Sequence, residues 1–136
     1  MAEALFRRAL QARGEEGVRV SSAGTGAWDD APASEGAYLV ALENGLDLSA
    51  HRARTLTPAL VRDADLILVM SAQHRARVEA LGGAGRVHTL REYAGAGGRG
   101  GDILDPFGGD IEGYRRTWQE LESLIESAAA RVAAER

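Results

Sequence analysis

The sequence predicts an α/β layer fold built on a short parallel sheet. Helical and strand-like periodicities alternate along the chain, the pattern of helices packed against a parallel sheet. One run, Leu66 to Met70, is continuously apolar after Asp65, as expected of a strand covered on both faces. No internal repeat or linker interrupts the 136 residues, so a single domain over residues 1–136 is expected.

In chain order, Ala2, Leu5, Phe6 and Leu10 recur at helical spacing, and Gly14 stops that helix. Val18-Arg19-Val20-Ser21-Ser22 alternates as a short strand, and Ala23-Gly24-Thr25-Gly26 turns the chain. Pro32 to Asn44 reads as a helix, with Pro32 near its first turn and Gly45 as its stop. Residues 46–57 read as an ordered loop and Pro58 to Arg62 as a short helix. The strand Ala64 to Met70 follows. Ser71 caps a helix from Gln73 to Leu81, which ends at Gly82-Gly83. Arg86 to Leu90 is a third strand. Residues 94–101, mostly glycine and alanine, form a flexible connection. A last helix runs from about Asp110 to Ala134, with Ile111, Tyr114, Trp118, Leu121, Leu124 and Ile125 as its apolar stripe.

Composition removes several classes of function. The apolar fraction of 45% is that of a globular protein. A net charge of −4 argues against nucleic acid as the main partner, because phosphate-backbone binding needs a basic surface. No apolar run approaches the roughly 18 residues of a membrane span. The N-terminus lacks the basic-then-apolar order of a signal peptide, so a cytoplasmic location is expected. With no cysteine, these residues offer no disulfide, thiolate metal site or thiol nucleophile. His51, His74 and His88 have no metal-ligand spacing.

Asp105-Pro106-Phe107 is the strongest local signal. An acid on a loop can protonate a departing oxygen or nitrogen, and Pro106 stiffens the backbone that carries it. The same string by itself is also a turn signal. Ser22 fits a cap, His51 a surface site, and Trp28 either a lid on the core or an exposed wall. The glycine-rich loop from Gly95 to Gly101 does not follow a strand and open a helix, so it is no phosphate cradle. Arg52 and Arg54 read as solvated surface.

Taken together, several strings resemble the low-molecular-weight protein phosphatases, small cysteine-dependent tyrosine and arginine phosphatases. They are Met1-Ala2-Glu3-Ala4-Leu5-Phe6, Ser22-Ala23-Gly24-Thr25, Asp47-Leu48-Ser49-Ala50-His51-Arg52-Ala53-Arg54, Ala64 to Met70, and Asp105-Pro106-Phe107-Gly108-Gly109. The resemblance implies a three-layer sandwich with strand order 2-1-3-4. It implies that Asp105 is the general acid, and that Trp28 and Phe107 wall the substrate slot. It makes Ser22 and His51 the outside support of a phosphate-binding loop, which is strained by its many inward N–H groups. Asp102 and Asp110 become loop or cap residues. The expected partner is a phosphorylated protein, and no cofactor is implied. Asp105-Pro106-Phe107-Gly108-Gly109 and Val87 to Tyr93 look closer to the arginine branch, and Ser22 to Trp28 closer to the tyrosine branch.

In that family a strand and a Cys-x5-Arg-Ser loop stand directly before the string matching Met1 to Phe6. The expectation is therefore an N-terminally truncated phosphatase domain, inactive as written because it lacks the nucleophile. The alternative is a phosphatase-like binding protein that catalyses nothing. A missing central strand removes about four buried side chains, roughly 6–12 kcal/mol. A domain of this size has only about 5–15 kcal/mol of net stability. Marginal stability, or self-association through the exposed sheet, is expected.

Overall fold

The computed structural model describes residues 1–25, 28–95, 102–103, 106 and 109–135. Helix α1 spans Ala2–Ala12, and Gly14 ends it in the left-handed region at φ 71°, where its N–H still reaches the Gln11 carbonyl. Helix α2, Glu35–Glu43, is shorter than the Pro32-to-Asn44 pattern suggests. Ser34 caps it by accepting from the Ala37 N–H, so Pro32 and Ala33 fall outside. Thr57 caps α3, Pro58–Asp63. Strand β1, Ile67–Val69, leads to α4, Ala72–Val78, which Ser71 caps as expected. A wide π-type turn, Glu79–Gly83, extends α4 and breaks at Gly82, φ 99°. Strand β2, Val87–Thr89, is followed by α5, Leu90–Tyr93, and then by the long α6, Ile111–Ala134.

β1 and β2 pair in parallel, with Ile67 opposite Val87 and Val69 opposite Thr89. Side chains alternate across β1. Leu66, Leu68 and Met70 pack on the larger core, formed by α1, α2, α5 and α6 around Leu10, Val40, Leu90, Trp118 and Ile125. Ile67 and Val69 face the smaller core, with Val61 of α3, Val78 of α4 and Val87. Helices therefore cover both faces of the sheet, and the chain is the three-layer α/β sandwich that its sequence predicts.

The clearest predicted strand, Ala64 to Met70, forms its ladder only over Ile67–Val69, and two further expectations need correction. Val18–Ser22 forms no strand, although it alternates as one. A strand is defined by its ladder, and among the described residues no backbone hydrogen bond pairs this segment with another. What holds it is a side chain: the Arg7 guanidinium donates to the Val20 carbonyl at 2.8 Å. The third predicted strand is also cut short. Leu90 leaves it to begin α5, because Thr89 caps a new helical turn by accepting from the Glu92 N–H at 3.2 Å.

Candidate functional site

The loop that carries Asp105 follows α5 and, at Ile103, meets the carboxyl end of β1, the end at which open parallel sheets bind their ligands. Asp105 and Phe107 themselves lie outside the described residues, but the attachments of their loop do not. On the near side, the Ile103 N–H donates to the Met70 carbonyl at 2.8 Å, and Ile103 is buried. Asp102 accepts from the Ala72 N–H at 3.0 Å, at the first turn of α4. On the far side, the Gly109 N–H closes a turn on the Pro106 carbonyl at 2.7 Å. Asp110 then caps α6 by accepting from the Gly113 N–H at 2.9 Å. Asp102 and Asp110 thus have the loop and cap roles expected of them.

Ser22 bonds a residue that the sequence did not single out, Glu3. Ser22 Oγ donates to the Glu3 carboxylate at 2.6 Å, and Arg7, one turn along α1, pairs with the same carboxylate at 2.8 Å. Burial works to raise the Glu3 pKa, but the hydrogen bonds from Ser22 and Arg7, with the charges of Arg7 and His51, hold it below its ordinary value. Only the placement of an acid in the first turn of α1, one turn before an arginine, hinted at Glu3.

The turn after Ser22 and the segment around His51 are neighbours in space. Gly24 and Thr55 form an isolated parallel bridge, and the Gly24 N–H donates to the Arg54 carbonyl at 3.0 Å. His51 closes its own turn, with its N–H on the Leu48 carbonyl, and Leu48 is buried. Arg52 spends its guanidinium on the Ser49 and His51 carbonyls.

Trp28 does not cap the core. It is 84% exposed, whereas Trp118 is 1% exposed inside α6's apolar stripe. The turn that presents Trp28 is tightly fixed. The Ala31 N–H donates to the Trp28 carbonyl, and Asp30 is held at φ 65°, rare for a residue with a side chain. The Asp30 N–H reaches the Ala53 carbonyl and the Ala53 N–H reaches the Ala31 carbonyl, each at 2.8 Å. Asp29 accepts from the Thr55 N–H at 2.7 Å. Among the described residues no group of three or more histidines and acids could hold a metal, and no helix is long and apolar enough to cross a membrane.

An acid-bearing loop at the carboxyl end of a parallel sheet, in three layers, describes the phosphatase class of α/β proteins that the sequence resembles. The sequence pattern described as "Low molecular weight phosphotyrosine protein phosphatase" matches residues 1–136. The protein-arginine-phosphatase of Bacillus subtilis is 38% identical over 138 aligned residues, covering 100% of this chain and 89% of that one. A probable low molecular weight protein-tyrosine-phosphatase, EpsP, of Ralstonia nicotianae is 34% identical, covering 98% and 87%. Among solved structures, the YwlE arginine phosphatase, as a cysteine-to-serine mutant with phosphorylated active site serine, superposes with a TM-score of 0.89. It shares 36% identity and covers 99% of this chain and 88% of that one. The chain belongs to the low-molecular-weight protein-tyrosine and protein-arginine phosphatase family.

Proposed function

We propose that residues 1–136 form the acid and substrate side of a low-molecular-weight protein phosphatase. Its substrates are proteins carrying phosphotyrosine or phosphoarginine. Asp105 protonates the leaving oxygen or nitrogen as a thiolate attacks phosphorus, and water then hydrolyses the phosphocysteine. The observation that carries this reading is the acid loop, fastened to β1, α4 and α6 on both sides of Asp105. Trp28 and Phe107 wall the slot, and Ser22 and His51 support the phosphate-binding part. The tight turn beneath Trp28 supports the first assignment, and the bridge that joins the turn after Ser22 to the segment after His51, with the Ser22–Glu3 bond, supports the second.

In this reading the thiolate is supplied by a strand and loop outside residues 1–136, which include no cysteine. Residues 1–136 act as one domain that receives that strand on the open edge of β1. Unfilled, the same edge favours self-association. A second reading, a binding protein without catalysis, has the missing thiol in its favour.

The test is a fusion. A strand and Cys-x5-Arg-Ser loop of the kind that the family resemblance implies, taken from the Bacillus subtilis relative, is placed ahead of Met1. Turnover of phosphoarginine and phosphotyrosine peptides is then measured against the 136-residue chain alone. The reading expects turnover only in the fusion, and a loss of at least about tenfold in Asp105→Asn. A folded fusion without turnover decides for the binding protein.

A further inference from the structure

We infer that Glu3 is a positioning residue that fixes the direction of the Ser22 hydroxyl, so that Ser22 meets the phosphate-binding part of the site as a hydrogen-bond acceptor. The inference rests on the supporting role proposed for Ser22.

A serine hydroxyl has one proton and two lone pairs. An ionised carboxylate has no proton to give, so between Ser22 and Glu3 the proton comes from Ser22. The separation of 2.6 Å is that of a hydroxyl bonded to a charged oxygen. With its only proton committed, Ser22 keeps acceptor capacity alone. That capacity suits backbone N–H groups, the groups of which an anion-cradling loop is made. Reversed, with the proton on the far side, Ser22 would point a donor at groups that are themselves donors.

The geometry keeps Glu3 in this role. Its side chain is only 18% exposed and is braced by Arg7 at 2.8 Å. The charges that act on it come from Arg7 and His51. Both favour the carboxylate and so keep the Ser22 proton turned toward it. Arg7 adds a second attachment through the Val20 carbonyl. α1 therefore grips the unpaired segment at Val20 and at Ser22, replacing the ladder that would otherwise align it. Rotation of the Ser22 side chain away from Glu3 would have to break a charge-assisted bond.

The experiment follows the Glu3 carboxyl by carbon NMR as the 136-residue chain is titrated. In Ser22→Ala the Glu3 midpoint rises toward its ordinary value, while in Ser22→Thr, which keeps a hydroxyl, it stays at the wild-type position. Ser22→Gly reads the same loss if Ser22→Ala does not fold. A packing role alone would leave the carboxyl titration unmoved. An unchanged Glu3 midpoint in the variants without the hydroxyl overturns the inference and leaves the phosphatase reading standing. A folded fusion that turns over no phosphopeptide does the opposite.

Discussion

A β-carbon on Gly36 would stand 2.3 Å from the ring of Tyr114, closer than any two such atoms can approach. Tyr114 is 5% exposed, and its hydroxyl accepts from Ser34 Oγ at 3.2 Å, so the ring has little freedom to retreat. Gly36 is thus what allows α2 to lie against the start of α6, next to the loop that carries Asp105. Two effects oppose each other in Gly36→Ala. Helix propensity favours alanine by about 1 kcal/mol, and overpacking a tight contact costs about 1–3 kcal/mol. Overpacking wins here because both sides of the contact are fixed. Gly36→Ala is expected to lower the urea midpoint, and a midpoint at or above wild type would show that the ring can move.

Arg86 gathers carbonyls that two helix ends leave free. Its guanidinium donates to Val61 at 2.7 Å, to Ala64, and to Gly82 at 3.1 Å. These are the C-terminal carbonyls of α3 and of the turn after α4, so one side chain fastens both helices of the smaller core to β2. Val61 is 1% exposed, so water cannot easily replace the arginine there. Arg86→Met keeps the stem and removes the donors. Hydrogen bonds to a charged group contribute about 1.5–3 kcal/mol, and a loss in that range is expected from chemical denaturation. A loss under about 0.5 kcal/mol would mean that solvent satisfies these carbonyls.

The features legible in the sequence are those decided within a few residues. The stop at Gly14, the caps at Ser71 and Asp110, and the buried stripe Tyr114, Trp118, Leu121 and Ile125 depend on neighbours one or two turns away. What escaped is decided by distant partners. Val18–Ser22 alternates like a strand, but alternation specifies faces and cannot supply a ladder. α5 has four residues and is held by the far end of α6, where the Arg131 guanidinium lies 4.1 Å from the centre of the Tyr93 ring and Glu135 accepts from its hydroxyl. Glu3 is an unremarked helix acid until folding brings Ser22 to it across nineteen positions. The acid loop was recognisable only as a string of consecutive residues, and the folded chain contributes its anchors.

The acid side of the stability profile follows from the same carboxylates. Glu3 titrates below its ordinary value of 4.5, because its hydrogen bonds and facing charges outweigh burial. Glu43, bonded by Arg115, and Glu135, bonded by Arg131, are lowered as well. A depressed carboxyl binds its proton more readily in the unfolded chain. Its contribution is therefore full above the unfolded value and disappears as pH falls through the folded one. Glu3→Gln should be less stable than wild type at neutral pH, and the gap should close below about pH 4.5. Urea midpoints measured from about pH 7 down to about pH 3 check this. A gap that stays constant across that range would mean that Glu3 acts through shape and not through charge.

The two tryptophans should separate cleanly in fluorescence. Trp28 is exposed on its turn and Trp118 is enclosed in α6's stripe. Iodide should quench one component and leave the other, and Trp28→Phe should remove the quenchable one. Asp30→Gly relieves a left-handed residue without touching the hydrogen bonds around it. It should leave the quenching unchanged and the chain slightly more stable. A loss of Trp28 exposure in that variant would show that the Asp30 side chain, and not the turn, holds the indole out.

The open edge of β1 sets the last expectation. The sheet among the described residues is two strands of three residues each, and Ile67 and Leu68 are only half-buried. So small a ladder contributes little by itself, and the helices carry the fold through α1, α2 and α6. The ion pairs that join α1 to α6, Arg8 with Glu122 and Arg13 with Glu126, are exposed and each contribute at most about 1 kcal/mol. As a monomer, the 136-residue chain should melt below about 55 °C, in the lower half of the ordinary range. Sedimentation beside calorimetry separates the two ways of escaping that limit. If the melting temperature rises with concentration as dimers appear, the edge is being filled by a second chain. A concentration-independent, cooperative melt of a monomer above that temperature would show that the helical layers need nothing on the open edge.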